Sequence, residues 1–174
     1  MNRLDSKRRV AVVRCLVEGC SIRSTVRMTG VAKNTVAKLL LELGACCAKF
    51  QNETMRDLKC KRIQADEIWS FVGCKEKNAT TEKVERDGVV GSVWTWTAID
   101  ADTKLIPCWL IGTRDAGCAT EFIQDLAGRL SNRIQLTTDG LKVYLKAVYD
   151  AFENNIDYAI LHKVYGRDMP DASR

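Results

Sequence analysis

The 174-residue chain has no run of eighteen or more apolar residues, so it offers no segment long enough to cross a membrane as a helix. Its basic, apolar-poor N-terminus also lacks the hydrophobic stretch of a signal peptide. A cytoplasmic protein with no membrane partner is expected. Histidine is nearly missing, with His162 alone. None of the eight cysteines, at 15, 20, 46, 47, 60, 74, 108 and 118, forms a Cys-x-x-Cys pair. That weighs against a zinc site with the usual ligand spacings. Reduced thiols packing as small hydrophobes are expected, as at Cys15 and Cys108.

The length suits one domain or a small domain joined to a medium one. Charge divides the chain more clearly. Residues 1–62 hold 14 Lys/Arg against 5 Asp/Glu, a balance of +9, whereas residues 63–174 balance at −4. A basic front and a mildly acidic back point the N-terminal part toward a polyanion.

That basic part has helical periodicity. Val12, Val13, Leu16 and Val17 recur at three- and four-residue spacing within Ser6–Glu18, and Gly19 is a stop signal. Ser21 is an N-cap for a short second helix carrying Ile22 and Val26 inward, ending at Thr29-Gly30. A third helix begins near Lys33, with Val36, Leu39, Leu40 and Leu43 on one face, and its helical character extends to about Gln51. Three helices with a tight turn before the third make a helix-turn-helix pattern. In that pattern Lys33, Asn34, Thr35 and Lys38 are the off-core positions that meet bases or phosphates, and Arg23 and Arg27 reach the DNA backbone. The expected boundaries are a DNA-binding domain at 1–50 and a linker at 51–62.

Ile63–Val72 is a short, mostly apolar run with β-branched and aromatic residues, which predicts a buried strand. Asp66 and Glu67 lie side by side in its middle. Neighbours on a strand face opposite ways, so Asp66 is expected at a site and Glu67 elsewhere. An acid within an apolar strand is costly unless it binds a cation or a donor. Residues 75–88 are polar and aperiodic and read as an exposed loop. A hairpin follows, Val93–Ile99 returning through Leu105–Ile111. Then come a helix over Asp115–Leu130, a strand over Ile134–Thr138, a helix over Leu141–Phe152 and a last strand over Tyr158–Leu161.

Strand, hairpin, helix, strand, helix, strand is a ribonuclease-H-like order. The helix after the hairpin crosses over to a strand lying parallel to the first. Asp66 then comes near Asp139, and such a carboxylate pair suits Mg²⁺ or Mn²⁺, which prefer hard oxygen ligands.

Asp66-Glu67-Ile68-Trp69-Ser70-Phe71-Val72-Gly73-Cys74-Lys75, Trp94-Thr95-Trp96-Thr97-Ala98-Ile99-Asp100, and Thr138-Asp139-Gly140 with Tyr144 together resemble bacterial insertion-sequence transposases of the IS-one group. The resemblance spans about residues 7–166. It implies an α/β fold, with an all-α helix-turn-helix domain ahead of a ribonuclease-H-like mixed-sheet core at 63–166. It also implies DDE-type DNA transposition, with Asp66 as the first catalytic acid, Asp139 as the second, and both ligating the metal. The implied partners are double-stranded DNA, at terminal inverted repeats and target, and further copies of the chain on that DNA, in the nucleoid. Two departures stand out. Members of the group often carry a zinc finger before the helix-turn-helix, and only about six residues precede the first helix here. The family's third acid, a Glu on a helix after the last core strand, has no counterpart. The expectation is therefore a C-terminally shortened form lacking its last helix, with an unstructured tail at 167–174. A DNA-binding remnant or regulator that does not cut is the alternative, and a ribonuclease H or junction nuclease is a third.

Overall fold

Val12, Val31, Val36 and Leu39 are buried together at the centre of three N-terminal helices, with Leu16, Ile22, Val26 and Leu43 packed around them. The computed structural model describes residues 4–162, in two units that divide between Thr54 and Met55. In the first unit, α1 spans Ser6–Val17, α2 Ile22–Thr29 and α3 Lys33–Thr54. The Asp5 and Ser21 side chains cap α1 and α2 by accepting from the N–H groups of Arg8 and Ser24. Gly30 closes α2 at φ +65°, a left-handed conformation that glycine adopts without strain.

The helix α3 runs through Gly44 and past the expected domain boundary at residue 50. A Lys49–Glu53 ion pair at 3.8 Å and the Thr54 hydroxyl on the Phe50 carbonyl belong to its last turns. The rest of the expected linker is also structured. The Leu58 N–H donates to the Arg129 carbonyl, and the Ser131 N–H donates to the Leu58 carbonyl.

In the second unit, β1 spans Arg62–Val72, β2 Gly91–Asp100, β3 Cys108–Gly112, α5 Ala116–Ala127, β4 Gln135–Thr138, α6 Val143–Phe152 and β5 Asp157–Ile160. The expected loop at 75–88 instead contains a 3₁₀ turn, Glu76–Asn78, and a short helix α4, Thr81–Asp87, capped by Thr80. Glu76 ties this insertion down by accepting from the Ser92 N–H at 2.6 Å.

The five strands form one mixed sheet in the order β3-β2-β1-β4-β5. β1, β2 and β3 pair antiparallel, and β1, β4 and β5 pair parallel. The crossover through α5 puts β4 beside β1, as the element order implies. One face carries Ile63, Ala65, Trp96, Ala98 and Leu136, buried beneath Phe122 and Ile123 of α5 and Tyr144 and Ala147 of α6. Trp96 meets Phe122 at 5.9 Å and Tyr144 at 5.5 Å between ring centroids. The opposite face carries Gln64, Asp66 and Ile68, and Ile68 is 60% exposed. The result is a mixed α/β chain with six α-helices among the described residues. None of these helices is long and apolar enough to cross a membrane. The expected tail at 167–174 and the last residues of the expected core, 163–166, lie outside the described residues.

Candidate functional site

The β1–β4 ladder ends at Gln64 opposite Thr137. Asp66 and Asp139 each lie two residues beyond that last pair, where the strands part. Asp66 sits on the open face and lines a cleft of about 300 Å³ with Gln64, Thr97, Thr137, Asp139 and Leu161. Its Oδ1 accepts from the Glu67 N–H at 2.8 Å. Asp139 follows β4 directly. Its Oδ1 accepts from the Leu141 N–H at 2.9 Å, a local turn that leads the chain through Gly140 toward α6.

Glu67 does not face away from the site as expected. Its backbone belongs to the helix-covered face, opposite Trp96, yet oxygens of Asp66, Glu67 and Asp139 all lie within 4.8 Å of one another. Strand alternation sets the direction of a Cβ. It does not limit the reach of a glutamate with three side-chain torsions at a point where one neighbouring strand has left the ladder. The Glu67 side chain is fully buried. The Tyr144 hydroxyl donates to Oε1, and Arg114 Nε donates to Oε2 at 3.0 Å. Burial pushes the Glu67 carboxyl above its ordinary value, and Asp139 adds to this, while the Tyr144 and Arg114 hydrogen bonds oppose it. Tyr144 is itself driven well above the ordinary phenol range, first by burial and then by its bond to Glu67.

Arg114 lies between β3 and α5, and no sequence signal singles it out. Besides Glu67 it reaches Asp139 Oδ2 at 3.3 Å, and its guanidinium lies 4.7 Å from the Trp94 ring centre. Tyr144 does carry a signal, since it closes the Thr-Asp-Gly motif five residues after Asp139.

These oxygens suit a hard cation. Mg²⁺ binds oxygen at about 2.0–2.1 Å, so its ligands stand at most roughly 4.2 Å apart. The 4.8 Å limit here exceeds that span by about 0.6 Å, which small rotations of the carboxylate torsions close. Asp66 and Asp139 would hold the ion from the cleft side, with Glu67 behind them.

The residues expected to touch DNA are all exposed. Arg23 and Arg27 lie on α2, and Lys33, Asn34, Thr35 and Lys38 on the first turns of α3. Arg27 donates to the Ser24 hydroxyl at 3.1 Å, and Lys38 pairs with Glu42 at 3.9 Å. Such surface contacts are weak enough to be exchanged for phosphate oxygens. Comparison of the chain with protein-family models and with curated proteins finds no match.

Proposed function

We propose that the chain is a DDE-type DNA transposase, similar to the IS-one group, with a helix-turn-helix unit that binds duplex DNA and a ribonuclease-H-like core. The observation that carries this reading is the meeting of Asp66 and Asp139, from neighbouring parallel strands, with a third carboxylate inside 4.8 Å. Mg²⁺ or Mn²⁺ bound there supplies Lewis-acid activation of the attacking oxygen and neutralises charge on the phosphate. Asp66 and Asp139 would hold the ion and present it to the open cleft. Glu67, Tyr144 and Arg114 fix the arrangement from behind. Arg23, Arg27, Lys33 and Lys38 supply phosphate contacts, and Asn34 and Thr35 read base edges. A cationic stripe of this kind makes affinity fall steeply with salt through counterion release.

A second reading, a DNA-binding protein that does not cut, draws support from Arg114. This residue already engages two of the three carboxylates. One experiment separates the two. Duplex carrying the element's ends is incubated with the chain and Mn²⁺, and binding and cleavage are read in parallel. A transposase cuts, and both Asp66→Ala and Asp139→Ala abolish cutting while leaving binding intact. Binding without cutting by the unaltered chain favours the second reading.

A further inference from the structure

We propose that Arg114 is a built-in counter-cation that competes with a divalent ion for Asp139, so that the site loads when this guanidinium lets go. The inference rests on the metal-binding reading of Asp66 and Asp139 given above and concerns how that site is regulated.

Each carboxylate oxygen near Arg114 already has a donor. Glu67 is engaged by Tyr144 and by Arg114 Nε, and Asp139 by the Leu141 N–H and by the Arg114 terminal nitrogen. A cation arriving from the cleft therefore meets an Asp139 that is already paired with a positive charge. The two Arg114 contacts are unequal. The one to Glu67 is 3.0 Å long and ends on a fully buried side chain, whereas the one to Asp139 is 3.3 Å long and ends on a side chain 29% exposed. Breaking the first would leave a buried carboxylate without its cation, which is expensive. Breaking the second exposes Asp139 to water or to a metal, at little expense. Arg114 can surrender Asp139 while keeping Glu67 and its place over Trp94. Arg114 is thus a positioning residue, acting through Asp139.

The test is a Mn²⁺ titration of the full chain, read by loss of the free-ion electron paramagnetic resonance signal, with circular dichroism confirming the fold of each variant. The three carboxylates and one guanidinium give the cluster a net charge of −2 when all are ionised. Arg114→Gln takes it to −3 and is expected to bind Mn²⁺ about tenfold more tightly. Glu67→Gln takes it to −1 and binds more weakly. The combined Glu67→Gln, Arg114→Gln variant returns to −2, the same as the unaltered chain, but frees Asp139. It is expected to bind about threefold to fivefold more tightly than the unaltered chain, the worth of one exposed ion pair. If Arg114→Gln fails to fold around an unpaired Glu67, the combined variant, which buries no lone charge, carries the test by itself. Equal affinity of the combined variant and the unaltered chain would mean that only net charge matters and would overturn the competition. Absence of Mn²⁺ binding in every variant would remove the metal-binding reading itself, and the inference with it.

Discussion

The Tyr144 hydroxyl donates a hydrogen bond to Oε1 of Glu67, joining α6 to the centre of β1 across 77 residues of sequence. Both groups are buried, and no other described hydrogen bond reaches that oxygen. A hydrogen bond to a charged, buried group contributes about 2 kcal/mol, and its loss leaves the acceptor desolvated. Tyr144→Phe is therefore expected to lower the urea midpoint of the second unit by about 1 M, taking a slope near 2 kcal/mol/M. An unchanged midpoint would show that Glu67 is solvated or protonated at rest.

Asp100 gives a pH dependence of definite sign. The Thr103 hydroxyl donates to its Oδ2 at 2.6 Å, and this bond, with the Asp102 N–H, holds the carboxyl below its ordinary value of 3.8 despite the opposing effect of burial. A carboxyl lowered in the folded state stabilises the fold above the unfolded value and loses that contribution as pH falls through the folded one. Asp100→Asn should therefore be less stable than the unaltered chain at pH 7, with the gap closing below about pH 3.8. Thermal melts at a series of pH values, with a chelator present, measure it. A gap independent of pH would contradict the assignment.

Thr25 is fully buried in α2, and its hydroxyl has no hydrogen-bond partner among the described residues. Replacing an unpaired buried hydroxyl by a methyl of the same shape removes a desolvation penalty. Thr25→Val should stabilise the three-helix unit by about 1 kcal/mol. Slower amide hydrogen exchange across α1–α3 would register the gain, and faster exchange would show that the hydroxyl is satisfied.

The thiols divide by burial. Cys46 and Cys47 are exposed on α3, while Cys60 and Cys108 are buried, and burial pushes the Cys108 thiol up to about 12. A thiol reagent at pH 8 should modify Cys46 and Cys47 within minutes and reach Cys108 only after unfolding. Early labelling of Cys108, read by mass spectrometry, would mean that the sheet opens readily at β3.

Part of this arrangement is legible in the sequence, for physical reasons. An acid in the middle of an apolar strand needs a partner, and Thr-Asp-Gly after a strand turns a second acid toward it. A hairpin followed by one crossover helix leaves little choice but to put β4 beside β1. Glu67 is misread because alternation describes a backbone inside a ladder, and the ladder with β4 ends three residues earlier. Arg114 is invisible because a lone basic residue in a loop has no period, and its partners lie 47 and 25 residues away. The helix α4 escapes notice because seven residues make only about two turns, too few to show a face. The end of α3 is underestimated by three residues, because Asn52-Glu53-Thr54 breaks the apolar pattern while the Lys49–Glu53 pair and the Thr54 hydroxyl on the Phe50 carbonyl carry the helix on.

The most direct test of the central claim, that Asp66 and Asp139 hold a divalent ion, is to locate the ion on the chain. Fe²⁺ substituted for Mg²⁺, with ascorbate and peroxide, cuts the polypeptide backbone nearest to where the iron is bound, and mass spectrometry of the fragments finds the cuts. The account predicts two cuts, one near Asp66 and one near Asp139, both suppressed by excess Mg²⁺ and both lost in Asp66→Asn and Asp139→Asn. Cuts elsewhere, or cuts near these residues that survive both substitutions, would contradict it.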